Sequence, residues 1–275
     1  MRLFRTDAGV FVEADGLFYG LGAVDWDDLL RTEELGVRLE EAIGGVEPRM
    51  DLPAARLLKP VGRQEVWAAG VTYWRSRGAR MEESEKGGGG SFYDRVYTAE
   101  RPELFFKATG HRVAGPGEAL KLRRDSGWNV PEPELTLLVS PGGRINGYTI
   151  GNDMSSRDIE GENPLYLPQA KVWDTSCAMG PGILVTAGPL PQTTEIDLEI
   201  VRQGMVEFSG SVELTELKRE PAELVGWLYR ECSFPDGCFL LTGTGIVPPA
   251  GFTLQSGDRI RITVEPIGVL ENVVA

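Results

Sequence analysis

After about residue 103 the chain reads mostly in the period of a β-strand, with apolar runs or apolar-polar alternation broken by turn residues. The pattern predicts strands over 104–107, 135–139, 145–150, 183–186, 195–201, 206–212, 238–241 and 259–264. A helical period stands out over 221–230, Pro-Ala-Glu-Leu-Val-Gly-Trp-Leu-Tyr-Arg. Near the N-terminus, Leu3 to Thr6, Gly9 to Val12 and Leu17 to Tyr19 read as short strands separated by Asp-Ala-Gly and Ala-Asp-Gly turns. A helix is expected from about Thr32 to Ile43, ended by Gly44-Gly45.

Many strands with few intervening helices argue against a doubly wound sheet and for a β-rich α+β fold of the roll or sandwich type. Residues 1–60 read as a small N-terminal α/β domain, and 61–275 as a larger domain that opens with the apolar strand Glu65 to Gly70. Trp74 to Lys86 is charged and helical in pattern, and Gly87 to Gly90 then gives the backbone freedom. Those four glycines suit a plain surface loop or the hinge of a substrate lid.

Composition narrows the chemistry. A net charge of −13 disfavours nucleic acid and anionic membranes as partners. No apolar run approaches the roughly 20 residues that span a bilayer, and the first residues lack a signal-peptide core. Three cysteines without metal-binding spacing read as reduced thiols, which places the protein in the cytoplasm. With a single histidine, His111, a histidine-rich zinc site is excluded and a serine–histidine triad would have one candidate only. Oxygen-ligated metal chemistry or a lysine-based mechanism remains.

The carboxylates supply it. Glu132 and Glu134 lie two apart at the start of the strand around 135–139, so both point to one side. Pro131 and Pro133 interleave them and remove ladder donors, which marks a special strand position. Asp153 follows Asn152 at the end of the next strand. Three such oxygens suit Mg²⁺, and also Mn²⁺ or Ca²⁺. Lys171, near that cation, would have its ammonium form disfavoured and could act as a base near neutral pH. Each of these residues alone reads equally as strand face, turn cap or solvated lysine. Thr244, between Gly243 and Gly245, offers either a plain turn or a donor for a substrate carboxylate.

Taken together, these segments resemble the fumarylacetoacetate hydrolase superfamily. Phe105-Phe-Lys107, the Glu-x-Glu pair, Gly147 to Asp158, Gly180-Pro181, Leu241 to Thr244 and Gly257 to Gly268 carry the resemblance, which covers about residues 65 to 274. It implies a mixed β-sandwich roll. It also implies a Mg²⁺ ion on Glu132, Glu134 and Asp153, an active-site lysine at Lys171, and a carboxylate-binding threonine at Thr244. Hydrolytic members place a water-activating histidine where Ser76 stands here. Arg157 to Trp173 and Arg101 to Lys107 are similar instead to the branch containing 2-keto-3-deoxy-D-arabinonate dehydratase, in which Glu103 would be the acid/base partner of Lys171.

The resemblance therefore implies a hydro-lyase that converts a 2-keto-3-deoxy-pentonate to 2,5-dioxopentanoate. Arg157, Gln169 and Phe106 would be further substrate contacts, and the protein a homodimer or homotetramer. Lys171 as base and Lys171 as Schiff base both stay open. So do hydrolysis of an acylpyruvate, decarboxylation of oxaloacetate, keto–enol isomerisation, and binding of a keto acid without turnover.

Overall fold

The computed structural model describes residues 1–74, 95–186 and 188–275. The segment Arg75 to Lys86, Gly87 to Gly90 and Ser76 therefore lie outside the described residues. Strands β1 (Arg2–Thr6), β2 (Gly9–Ala14) and β3 (Leu17–Gly20) come first, followed by helices α1 (Trp26–Leu30) and α2 (Leu35–Ile43). The middle of the chain contributes β4 (Glu65–Gly70), β5 (Glu103–Thr109), β6 (Val113–Ala114), β7 (Ala119–Leu120), β8 (Asn129–Val130), β9 (Pro133–Val139) and β10 (Ile145–Asp153). Then come β11 (Ser155–Ser156), α3 (Arg157–Glu162), α4 (Leu167–Lys171) and β12 (Cys177–Val185). The last part holds β13 (Glu195–Arg202), β14 (Met205–Glu213), α5 (Pro221–Leu228), β15 (Cys238–Leu241), β16 (Arg259–Val264) and β17 (Gly268–Val274).

Local rules account for much of this. Asp15 and Gly16 both have positive φ, 52° and 78°, as the tight hairpin between β2 and β3 requires. Pro221 opens α5 at the position where its missing N–H costs nothing. Less expected is β12, which runs straight through Gly180-Pro181-Gly182. The reason is contact: a Cβ on Gly182 would lie 2.7 Å from the backbone oxygen of Leu3, so glycine lets β1 and β12 approach.

Among the described residues the strands form a mixed ten-stranded sheet in the order β3-β2-β1-β12-β10-β9-β15-β4-β5, with β6 beside β12. A five-stranded sheet, β14-β13-β16-β17-β7, packs against it, and β8 pairs with β11. The long sheet is covered on both faces. Leu135, Leu137 and Val139 share one core with Leu198 of β13, Ile260 of β16 and Leu224 of α5. Leu138, Phe239 and Leu241 face the other way, onto Leu3, Leu30 and Leu39 of the N-terminal elements. Period two thus splits each central strand between two cores. Each fully buried leucine contributes about 1.5–3 kcal/mol. Both the sheet (β1 beside β12) and the second core run across residue 60. No helix among the described residues is long and apolar enough to cross a membrane.

Candidate active site

The pairing of β9 with β10 brings three carboxylates together. Gly151 stands opposite Glu134 and Asn152 opposite Pro133. Beyond the strand end, Asp153 N donates to Glu132 O at 2.9 Å and Glu132 N donates to Asn152 Oδ1 at 3.1 Å. Register then places the side chains of Glu132, Glu134 and Asp153 on one face. All three are buried, and each offers an oxygen within 4.8 Å of the others.

Buried carboxylates at this spacing repel unless cations stand among them. Lys171 comes from the end of α4: its Nζ donates to Glu132 Oε2 at 2.7 Å, Asp153 Oδ2 at 3.1 Å and Ser155 Oγ at 2.6 Å. Glu160 Oε1 lies 3.3 Å from the same nitrogen. Lys107, fully buried on β5, sits 2.5 Å from Asp153 Oδ1 and donates to the backbone oxygens of Met154 and Lys171. The Arg157 guanidinium lies 2.7 Å from Glu132 Oε1. Among the described residues, three cations thus face four buried carboxylates. Burial pushes the Glu134 carboxyl well above the usual range, and the charges of Asp153 and Glu132 push it further. Lys171 and the Gly243 N–H, which donates to Glu134 Oε2 at 2.5 Å, pull it partly back. Three hard oxygen donors gathered in one buried, negatively charged cluster fit a divalent cation of the Mg²⁺ type.

The triad forms the floor of a pocket whose walls come from the ends of β4, β5 and β15. Val71 holds φ at 53°, a conformation that β-branched residues rarely adopt, and so sharpens the bend after β4. Gly243 has φ of 94°, and a Cβ there would lie 2.0 Å from Thr72 Oγ1; glycine is required for the turn that aims its N–H at Glu134. Glu103 packs flat on Gly70, where a Cβ would stand 2.1 Å from Glu103 Oε2. The Phe105 ring lies 5.5 Å from Lys171 Nζ.

Of the residues singled out from the sequence, Glu132, Glu134, Asp153, Lys171 and Thr244 line this pocket. Arg157 is held behind it on Glu132, and Glu103 lies against its Gly70 wall. Phe106 points the other way and packs edge-on against Trp67 at 6.0 Å; its neighbour Phe105 lines the pocket. Gln169 is exposed on α4, and its backbone oxygen, not its side chain, takes a hydrogen bond, from Arg123 at 2.5 Å. His111 is exposed, 2.9 Å from Thr109 Oγ1. Sequence reasoning assigned no role to Lys107, Ser155 or Glu160. A signal for two of them was present: Lys107 keeps the strand parity of Glu103, and Glu160 follows Arg157 at helical spacing.

The chain belongs to the fumarylacetoacetate hydrolase family: the profile described as fumarylacetoacetate (FAA) hydrolase C-terminal matches residues 81–275. Over 214 residues it is 48% identical to a Haloferax volcanii protein named "Probable 2-keto-3-deoxyxylonate dehydratase", a match covering 78% of this chain and 73% of that one. Over 218 residues it is 45% identical to the 2-dehydro-3-deoxy-D-arabinonate dehydratase of Saccharolobus solfataricus, with the same shares covered. A solved structure of 2-keto-3-deoxy-D-arabinonate dehydratase, complexed with magnesium and 2,5-dioxopentanoate, matches with a TM-score of 0.84 at 36% identity. That match covers 100% of this chain and 98% of the other.

Proposed function

We propose that the protein is a magnesium-dependent hydro-lyase that removes water from a 2-keto-3-deoxy-pentonate to give 2,5-dioxopentanoate. The observation that carries the reading is the buried carboxylate triad with Lys171 Nζ against it, in a chain similar to dehydratases of this substrate class. Glu132, Glu134 and Asp153 would hold the cation, which supplies Lewis-acid stabilisation of negative charge on a 2-oxo acid.

The remaining work falls to the chain's own side chains. Lys171 Nζ takes a proton from C3, and Glu160 and Ser155 keep that nitrogen in place. Glu103, packed against Gly70 of the pocket wall, gives a proton to the C4 hydroxyl as the C4–O bond breaks, so that water leaves. Each acid/base partner is worth about 10²–10⁴-fold. The unsaturated oxo acid that results moves a C5 hydrogen to C3, and the enol so formed ketonises to the C5 aldehyde. Thr244 Oγ1, buried on the rim, offers a hydroxyl to the substrate carboxylate. Residues 1–60 contribute no side chain to the pocket, so we assign the chemistry to 61–275. The same reading expects a cytoplasmic homodimer or homotetramer.

The test is a panel of 2-oxo acids assayed with Mg²⁺, following semialdehyde, pyruvate and CO₂ separately. Semialdehyde from a 2-keto-3-deoxy-pentonate supports the reading. Pyruvate or CO₂ from another acid, with no semialdehyde, overturns it.

A further inference from the structure

Asp158 stands outside the pocket, exposed at the first turn of α3, with no part in the chemistry above. Its carboxylate nevertheless accepts hydrogen bonds from Ser126 Oγ at 2.6 Å, Gly127 N at 2.7 Å, Ser156 Oγ at 2.7 Å and Ile159 N at 2.9 Å. The two serine hydroxyls lie 2.9 Å apart. One side chain thus ties the 126–128 turn to β11 and to the start of α3.

Two lines of structure run from this clasp to the triad. Through the first, Arg157 N donates to Trp128 O at 2.8 Å, which fixes the backbone from which the guanidinium reaches Glu132 Oε1. Through the second, the turn enters β8 and continues into Glu132. β8 pairs with β11, with Ser155 opposite Val130 and Ser156 opposite Asn129. Ser155 Oγ in turn accepts from Lys171 Nζ.

We propose that Asp158 is a positioning residue for the metal site: by clasping the 126–128 turn it keeps Arg157 on Glu132 and pre-orients that carboxylate for the cation. The inference rests on the reading of Glu132 as a metal ligand. A group that orients a ligand from behind contributes to metal affinity even though it never touches the ion. Burial opposes ionisation of Asp158, but the donors from Ser126, Ser156, Gly127 and Ile159 outweigh it and hold the carboxyl below its ordinary range. The clasp is therefore a charged one.

Calorimetric titration of the whole protein with Mg²⁺ tests this, on the wild type, Asp158→Asn and Ser126→Ala, with the Tm of each metal-free protein measured alongside. Asp158→Asn is expected to weaken Mg²⁺ binding about tenfold, Ser126→Ala by a smaller factor of the same sign, and turnover to recover at saturating Mg²⁺. A wild type that binds Mg²⁺ and variants that bind it equally well, with only a lower Tm, would reduce Asp158 to a structural role and overturn the proposal. A wild type that takes up no Mg²⁺ would remove the ligand reading and this inference with it. Should Asp158→Asn fail to fold, the milder variant Ser126→Ala decides the matter alone.

Discussion

Gly70→Ala offers a sharp probe of Glu103, because it moves that carboxylate without touching the triad. Gly70 is not in a positive-φ conformation, so alanine fits the backbone. The new methyl would stand 2.1 Å from Glu103 Oε2 and 2.6 Å from its Cδ. Ordinary contact needs about 3.4 Å or more, so the carboxyl must retreat by about 1 Å. The obstacle is the far end of a flexible side chain, so folding should survive, helped by the lower chain entropy of alanine, worth about 0.4–1 kcal/mol. Catalysis should not. A displacement of about 1 Å costs on the order of 10²-fold, within the range of a lost general acid. Steady-state kinetics on the deoxy-pentonate should show kcat down about 10²-fold with Mg²⁺ affinity unchanged. A Gly70→Ala enzyme that keeps its full kcat would refute the role given to Glu103.

Three further outcomes follow from the same geometry. Lys171→Ala should lower turnover by about 10²–10⁴-fold while the protein still binds Mg²⁺, and borohydride treatment of wild type with substrate should leave no covalent adduct; a trapped adduct would make Lys171 a Schiff-base former. Native protein at pH 8 should take up one iodoacetamide, on exposed Cys232, because burial raises Cys177 and Cys238 to about 12 each and leaves only about one thiolate in 10⁴; rapid labelling of two or three thiols would contradict this burial. Asp158 has a depressed folded pKa, so its stabilisation is present above the unfolded value of about 3.9 and is lost as pH falls through the folded one. The Tm gap between wild type and Asp158→Asn should accordingly be open at pH 6 and close below about pH 4; a gap independent of pH would count against the charged clasp.

Strand periodicity made the floor of the site legible: Glu132 and Glu134 share a face because they are two apart, and β9, β10, β13, β15 and β16 fall where the apolar pattern put them. The same rule, applied to β5, selects Phe105 and Lys107 with Glu103 and turns Phe106 away. Gln169 and Lys171 are two apart on a helix, which sends them to different sides; only Lys171 turns inward. Other features depend on distant partners and leave no local trace. The pairing of β1 with β12 joins strands far apart in the sequence. The placement of Ser155 beside Lys171 follows from how β11 and α4 fold back together. Gly182 reads locally as a strand breaker, and its purpose appears only when Leu3 is seen against it.

The proposed chemistry requires one divalent cation among Glu132, Glu134 and Asp153. Crystals soaked in Mn²⁺, with anomalous scattering recorded at the manganese edge, would reveal it. One strong anomalous peak is expected within bonding distance of all three carboxylates, absent from crystals of a Glu134→Gln variant. No peak there, or a peak bound elsewhere with those side chains untouched, would contradict it.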